Sequence, residues 1–402
     1  MTRILLLLFS AHLANAEWIR ARTPTLELWT DAGEKNAVRL LDRFAKVRQA
    51  VGSGAAVARP LRVFLFASER EFHTYADGAA TEGFFQSGPE RDYIVLYLGG
   101  GLTRAPAHEY VHLILNRSTA RFPRWLDEGF AEFYSNVEIG SRARVGGIIE
   151  NHVRVLREKR LLSASELESA GLAGGVYSER SLAGTFYAES WALAHLLNLA
   201  PQWREGMPAF VEQMLSGKDS GEAFRSAFGK TLDDAIRELP GYTGRMRGVT
   251  LDSPGPLTED PPVLDRMSEP APSLVRADLA LHTKKFELAR TLFERAARDH
   301  PDSSEAEAGL GTLAMARNRP AEARGKVERI SSAGPSPSRF TISSVFARGL
   351  RQEGWVGAGL SREPIRCVPK ARTTGETNPN SFHFDPEEPL KISTNGSRYS
   401  SG

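Results

Sequence analysis

A chain of 402 residues has room for two or three domains at about 150 residues each. Its 51 Lys and Arg against 49 Asp and Glu leave a formal charge of +2, which argues against a nucleic-acid binder or a polybasic membrane-surface protein. A single cysteine rules out an intrachain disulfide framework, a cysteine zinc ribbon and an iron–sulfur cluster, so any bound metal must be held by histidine and carboxylate.

The chain begins MTRILLLLFSAHLANA. Arg3, an apolar stretch at 4–9 and the small residues Ala14 and Ala16 form the pattern of a secretory signal peptide over 1–16, so an exported, periplasmic or extracellular protein is expected. The apolar stretch is far short of the ~20 residues that cross a bilayer. No later segment comes closer, and no membrane span is expected.

Apolar alternation in LELWT predicts a strand at 26–30. Val38, Leu41, Phe44 and Val47 recur at helical spacing over 34–51. LRVFLF (61–66) and YIVLYL (93–98) are rich in branched and aromatic residues and read as strands. Gly99, Gly100 and Gly101 break the last one, as a turn or as a place where a substrate backbone approaches closely. Helical patterns follow near 105–117, 124–138, 146–158, 186–199, 207–216 and 231–239. A small N-terminal sheet followed by helices makes the fold class α+β, with a first domain over 17–249.

Six prolines between Pro254 and Pro272 predict a stiff linker over 250–273. Beyond it, Ala280 and Ala314, Ala289 and Ala323, and Phe293 and Val327 recur at a period of 34. The segment 274–330 resembles tetratricopeptide repeats, paired helices that stack through small residues, which implies a short all-α region able to dock a protein partner. From residue 331 to 402 Ser, Pro, Gly, Arg and Asn dominate and periodicity is lost, so disorder is expected there.

The chemistry is concentrated in His108-Glu109-Tyr110-Val111-His112. Residues four apart share a helix face, so both imidazoles reach one point. Two imidazoles and a carboxylate make a three-ligand zinc site with one position open to water, and Glu109 stands where a general base is needed. The third ligand is expected on a second helix opened by Pro123, where Glu128 follows His112 by sixteen residues. Glu132 lies one turn beyond Glu128, placed to accept the spare N–H of a liganding imidazole.

HEYVH followed by WLDEGFAEF resembles the gluzincin zinc metallopeptidases, and most closely the peptidase MA-like family. The resemblance covers roughly 17–241. It implies one catalytic zinc on His108, His112 and Glu128, water activation by Glu109, support of a histidine by Glu132, and a peptide or protein substrate. Members of that clan carry a downstream tyrosine that stabilises the oxyanion. FYAESW resembles its setting and makes Tyr187 the candidate, with Tyr134 and Tyr177 as weaker rivals. The chain departs from the aminopeptidases in lacking their G-x-M-E-N segment before the zinc helix, which argues against exopeptidase activity. The other histidines, including His73, His152, His195, His282 and His300, are isolated in sequence and are expected to be structural. The leading expectation is a zinc-dependent peptide hydrolase. The alternatives are a docking scaffold formed by the repeats beside an inactive zinc domain, and zinc hydrolysis of a non-peptide amide.

Overall fold

The structure is a computed structural model and describes residues 17–51, 60–77, 82–118, 121–140, 142–170, 180–252 and 260–332. The expected signal peptide lies outside these residues. So does the expected disordered tail, except for its first two positions. In chain order the elements are β1 (Trp18–Arg22), β2 (Leu26–Thr30), α1 (Glu34–Val51), β3 (Leu61–Phe66), α2 (Glu69–Phe72), β4 (Gly83–Ser87), β5 (Asp92–Tyr97), α3 (Arg104–Arg117) and α4 (Arg124–Ser135). There follow β6 (Glu138–Ile139), β7 (Arg142–Val145), α5 (Glu150–Glu158), α6 (Ala164–Ser169), α7 (Arg180–Leu199), α8 (Pro201–Arg204), α9 (Met207–Leu215), α10 (Ser220–Phe228) and α11 (Leu232–Thr243). The described chain closes with β8 (Val249–Asp252), β9 (Val263–Met267), α12 (Ala271–His282), α13 (Phe286–Asp299), α14 (Ser304–Ala316) and α15 (Pro320–Ser332). The class is α+β. Among the described residues no helix is long and apolar enough to cross a membrane.

The main sheet has the order β4-β5-β3-β2-β1-β9. β2, β3 and β5 are mutually parallel, whereas β4, β1 and β9 join antiparallel. Both faces are apolar because side chains alternate along each strand. Leu28, Val63, Leu65, Ile94 and Leu96 face the core shared with α1 and α3. Trp29, Phe64, Phe66, Tyr93 and Val95 face the other way and are covered by α12 and α13. Val38, on the expected apolar stripe of α1, is instead exposed; Leu40, Leu41, Phe44 and Val47 carry the packing.

The expected linker is a point of correction. Residues 253–259 of it lie outside the described residues, but at its start β8 pairs with β7, further on β9 pairs with β1, and its last three positions belong to α12. The helices after it complete the core of the sheet. The run LRVFLF already carried the physical reason, since a strand apolar on both faces must be covered on both. Between the helices expected at 124–138 and 146–158, α4 ends at Ser135, a short hairpin of β6 and β7 follows, and α5 starts only at Glu150. The period of 34 is visible in the backbone as well. The turns inside the two C-terminal helix pairs place Lys284 at φ 60° and Asn318 at φ 57°, and Ala280, Ala289, Ala314 and Ala323 are all buried.

Helix α4 is held between α3 and α7. Gly129 makes this possible: a Cβ there would lie 2.5 Å from the Ser190 carbonyl oxygen and 3.1 Å from the Ala194 Cβ. Gly129→Val is therefore expected to destabilise the fold by about 1–3 kcal/mol through overpacking, read as a lowered midpoint in thermal denaturation; an unchanged midpoint would refute the close contact.

Glu189 of α7 is fully buried. Its Oε2 accepts from the Leu162 N–H at 2.7 Å, and its Oε1 has no partner among the described residues. Burial pushes its pKa from 4.5 up to about 8. The folded-state pKa is raised, so the stability it contributes is present below about 4.5 and is lost as pH rises to about 8. Glu189→Gln removes this loss. The stability gain over the parent should be larger at pH 8 than at pH 5 by more than about 1.4 kcal/mol. Equal differences in thermal or urea melts at the two pH values would contradict the assignment.

Candidate metal centre

Gly101, at φ 86°, turns the chain out of the sheet into α3. Pro106 sits in the first turn of that helix, where no intrahelical N–H is lost. Glu109 and Val111 are buried, with His108 and His112 half-buried on the adjoining face. Packing α4 on α3 brings the third group into place. The Nε2 atoms of His108 and His112 are 3.0 Å apart, and each stands 3.5 Å from Glu128 Oε2. Four-coordinate zinc with bonds of about 2.0–2.1 Å requires ligand atoms roughly 3.3–3.4 Å apart, so the triangle has suitable dimensions.

The surroundings fix which ring nitrogen is offered. His108 Nδ1 stands 3.3 Å from Glu132 Oε1, and His112 Nδ1 donates to Asp127 Oδ1 at 3.3 Å. In the neutral rings, with both Nδ1 protons engaged, both Nε2 lone pairs converge, an arrangement that repels unless a proton or a metal cation stands between them. Glu128 Oε2 is likewise buried without a hydrogen-bond partner among the described residues, while Arg124 lies 3.6 Å from its Oε1. The donor set, its dimensions and this orphaned oxygen fit a zinc-sized divalent cation.

The electrostatics agree. Burial works against charge on His108, but Glu128 and Glu132 hold its pKa well above the usual imidazole value. Burial opposes charge on His112 too, and Asp127 and Glu128 nevertheless raise it to about 9. Burial also opposes ionisation of Glu128 and Glu132, yet their histidine partners hold both carboxyls well below the usual range. The pocket thus favours positive charge at the point where the three ligand atoms meet. Glu109, only 7% exposed, behaves differently: burial pushes its pKa up, so it takes a proton more readily than a surface carboxylate.

Glu132 reaches further than sequence spacing suggests. Its Oε2 accepts from Arg104 Nη2 at 2.7 Å and from His152 Nε2 at 3.1 Å. His152, expected to be structural, therefore belongs to the site's support, seated against Trp191 at a ring distance of 5.6 Å. His152, Arg104 and Asp127 all escape sequence reasoning in this role. Asp127, adjacent to Glu128, had a positional signal, whereas Arg104 and His152 meet Glu132 only through packing. His195 is a core residue as expected, bonded to the Tyr242 hydroxyl at 2.7 Å and the Gly146 carbonyl at 3.1 Å.

A cleft of about 1300 Å³ runs along α3 and exposes the triangle. Gly83, Phe84 and Phe85 of β4 line one side and Tyr187 of α7 the other. Tyr187 is half-buried and lies in the third turn of α7, which begins at Arg180 rather than at 186. Tyr134 is buried away from the cleft, and Tyr177 lies outside the described residues. The Gly99–Gly101 run is a turn into α3 and does not line the cleft.

A family model described as a protein of unknown function (DUF1570) matches residues 106–219. The stretch similar to that family holds the two histidines, Glu109, Glu128, Glu132, His152 and Tyr187. No curated protein and no solved structure matches the chain.

Asp127→Ala and Glu132→Ala each release a ring nitrogen from its orienting carboxylate. Each should weaken zinc affinity by about 10–100-fold, measured by competition with a chromophoric chelator. Parent-like affinity in both variants would show that these carboxylates do not orient the rings.

Proposed function

We propose that the chain is a zinc-dependent hydrolase of peptide bonds. The observation that carries this reading is the triangle of His108 Nε2, His112 Nε2 and Glu128 Oε2 open to the cleft, with the buried Glu109 beside it. A two-histidine, one-carboxylate set with a free position suits catalytic rather than structural zinc. When bound, zinc supplies a water of lowered pKa and polarises the carbonyl to be cleaved. Glu109, its basicity raised by burial, takes the proton of the attacking water and hands it to the departing amine. The Tyr187 hydroxyl, across the cleft, donates to the negative charge developing on the carbonyl oxygen.

The peptide preference comes from β4. Among the described residues it is the terminal strand of its sheet and lines the cleft, so its outer edge is a template for an extended chain. The cleft is also larger than the ~300–1,000 Å³ of ordinary small-molecule pockets. The docking-scaffold alternative has less support, because α12 and α13 use apolar faces to cover the sheet. Export remains part of the proposal, carried by the pattern of residues 1–16.

Glu109→Gln should abolish cleavage of a peptide library while zinc stays bound at one equivalent, as read by mass spectrometry of products and by metal analysis. Retained cleavage would exclude Glu109 as the base. Glu128→Ala should lose the zinc, and stoichiometric zinc in that variant would remove Glu128 from the ligand set.

A further inference from the structure

The cleft has a charge polarity that the catalytic groups do not use. Arg117 Nη2 bonds Asp92 Oδ2 at 2.7 Å, which places the end of α3 beside the start of β5. β4 runs antiparallel to β5, with Gly83 opposite Leu96 and Ser87 opposite Asp92. β4 therefore runs in the same direction as α3, and the cleft between them has two distinct ends. Glu82 lines the end at the start of β4, and Arg121, just beyond α3, lines the other.

Of the other acids of the cleft, Glu109 is buried and accepts from the Phe85 N–H, and the rest are engaged by side chains. Asp127 serves His112, Glu128 faces both histidines and Arg124, and Glu132 serves His108, Arg104 and His152. Arg121 is exposed and has no acidic partner among the described residues. Arg124, also exposed, lines the same cleft but is paired, 3.6 Å from the Glu128 oxygen that is not part of the triangle. A group bound at this end of the cleft thus meets the Arg121 guanidinium, which the acids of the cleft leave to it.

We propose that this end is an acidic-residue subsite, so that the substrate is a peptide carrying Asp or Glu on the N-terminal side of the cleaved bond. The direction follows from strand addition. Antiparallel pairing is the more stable mode, and a peptide antiparallel to β4 has its N-terminal part at the Arg121 end. At about 3.4 Å per extended residue, the acid falls within the first few positions before the bond. Glu82 at the opposite end reinforces the polarity. The inference rests on the hydrolase reading only in taking the cleft as the bed of an extended peptide.

The test uses the full chain carrying Glu109→Gln, loaded with zinc, and fluorescent octapeptides that differ only in Asp, Asn or Lys at one position, scanned along the peptide. Anisotropy should show the best Asp peptide bound about fivefold more tightly than its Asn counterpart, a ratio that shrinks with added salt. Arg121→Gln should level the series, and Arg121→Glu should turn the preference toward Lys. Equal affinities, an order unchanged in Arg121→Glu, or no binding of any peptide would overturn the subsite. Cleavage by the parent protein must fall on the C-terminal side of the acid, and cleavage on its N-terminal side would overturn the orientation. Failure of the two readings is distinguishable. Neutral peptides cut by the parent but not by Glu109→Gln, with no charge preference, sink only the subsite. A charge preference in binding without any cleavage by the parent sinks only the hydrolase reading.

Discussion

The site is shaped by the cost of placing several carboxylates and imidazoles in one desolvated pocket. Glu109, Glu128, Glu132 and His152 are all buried, and His108 and His112 are nearly so. Charges taken from water must be paired or they neutralise. Here the pairing is layered. Arg104 and His152 hold Glu132, Glu132 holds His108, Asp127 holds His112, and both histidines turn their remaining nitrogens toward Glu128. One oxygen, Glu128 Oε2, is left without a hydrogen-bond partner among the described residues at the centre, within 4.8 Å of the two histidine nitrogens in a group that could hold a metal ion. At Glu109 burial outweighs the pull of the two histidines and of the Phe85 N–H, so its basicity rises while that of Glu128 and Glu132 falls.

The compensation works only because the backbone elements are closely set. Gly129 lets α4 approach α7, and α3 packs against α4 on the other side. The sheet behind α3 is in turn stiffened from its far face by helices that come after the expected linker. Strand β9 adds an antiparallel partner to β1, with Asp265 accepting from Arg20 and Arg22 at 2.9 Å. The C-terminal helices are therefore part of what holds the sheet behind the candidate site.

Helical spacing was readable because it is local. His108 and His112 share a face by the four-residue period, and Glu128 and Glu132 repeat that relation on α4. The apolar runs of β3 and β5 marked strands for the same reason. What could not be read is long-range. Nothing in the sequence near His152 points to Glu132, twenty positions earlier, and Val263–Met267 is half charged or exposed and framed by prolines, so it does not look like a strand until β1 is beside it. The hairpin of β6 and β7 was missed because its few residues carry too short an alternation to compete with the helix that follows.

By itself, then, the sequence determined the α+β order of elements, the helices α3 and α4 and the candidate residues on them, since each depends on periodicity within a dozen positions. Tertiary structure alone decided which carboxylate orients which ring, that β4 rather than the glycine run borders the cleft, and that the helices beyond the prolines close the sheet. Those outcomes depend on which surfaces meet, and that is settled by burial and charge compensation between segments distant in the chain.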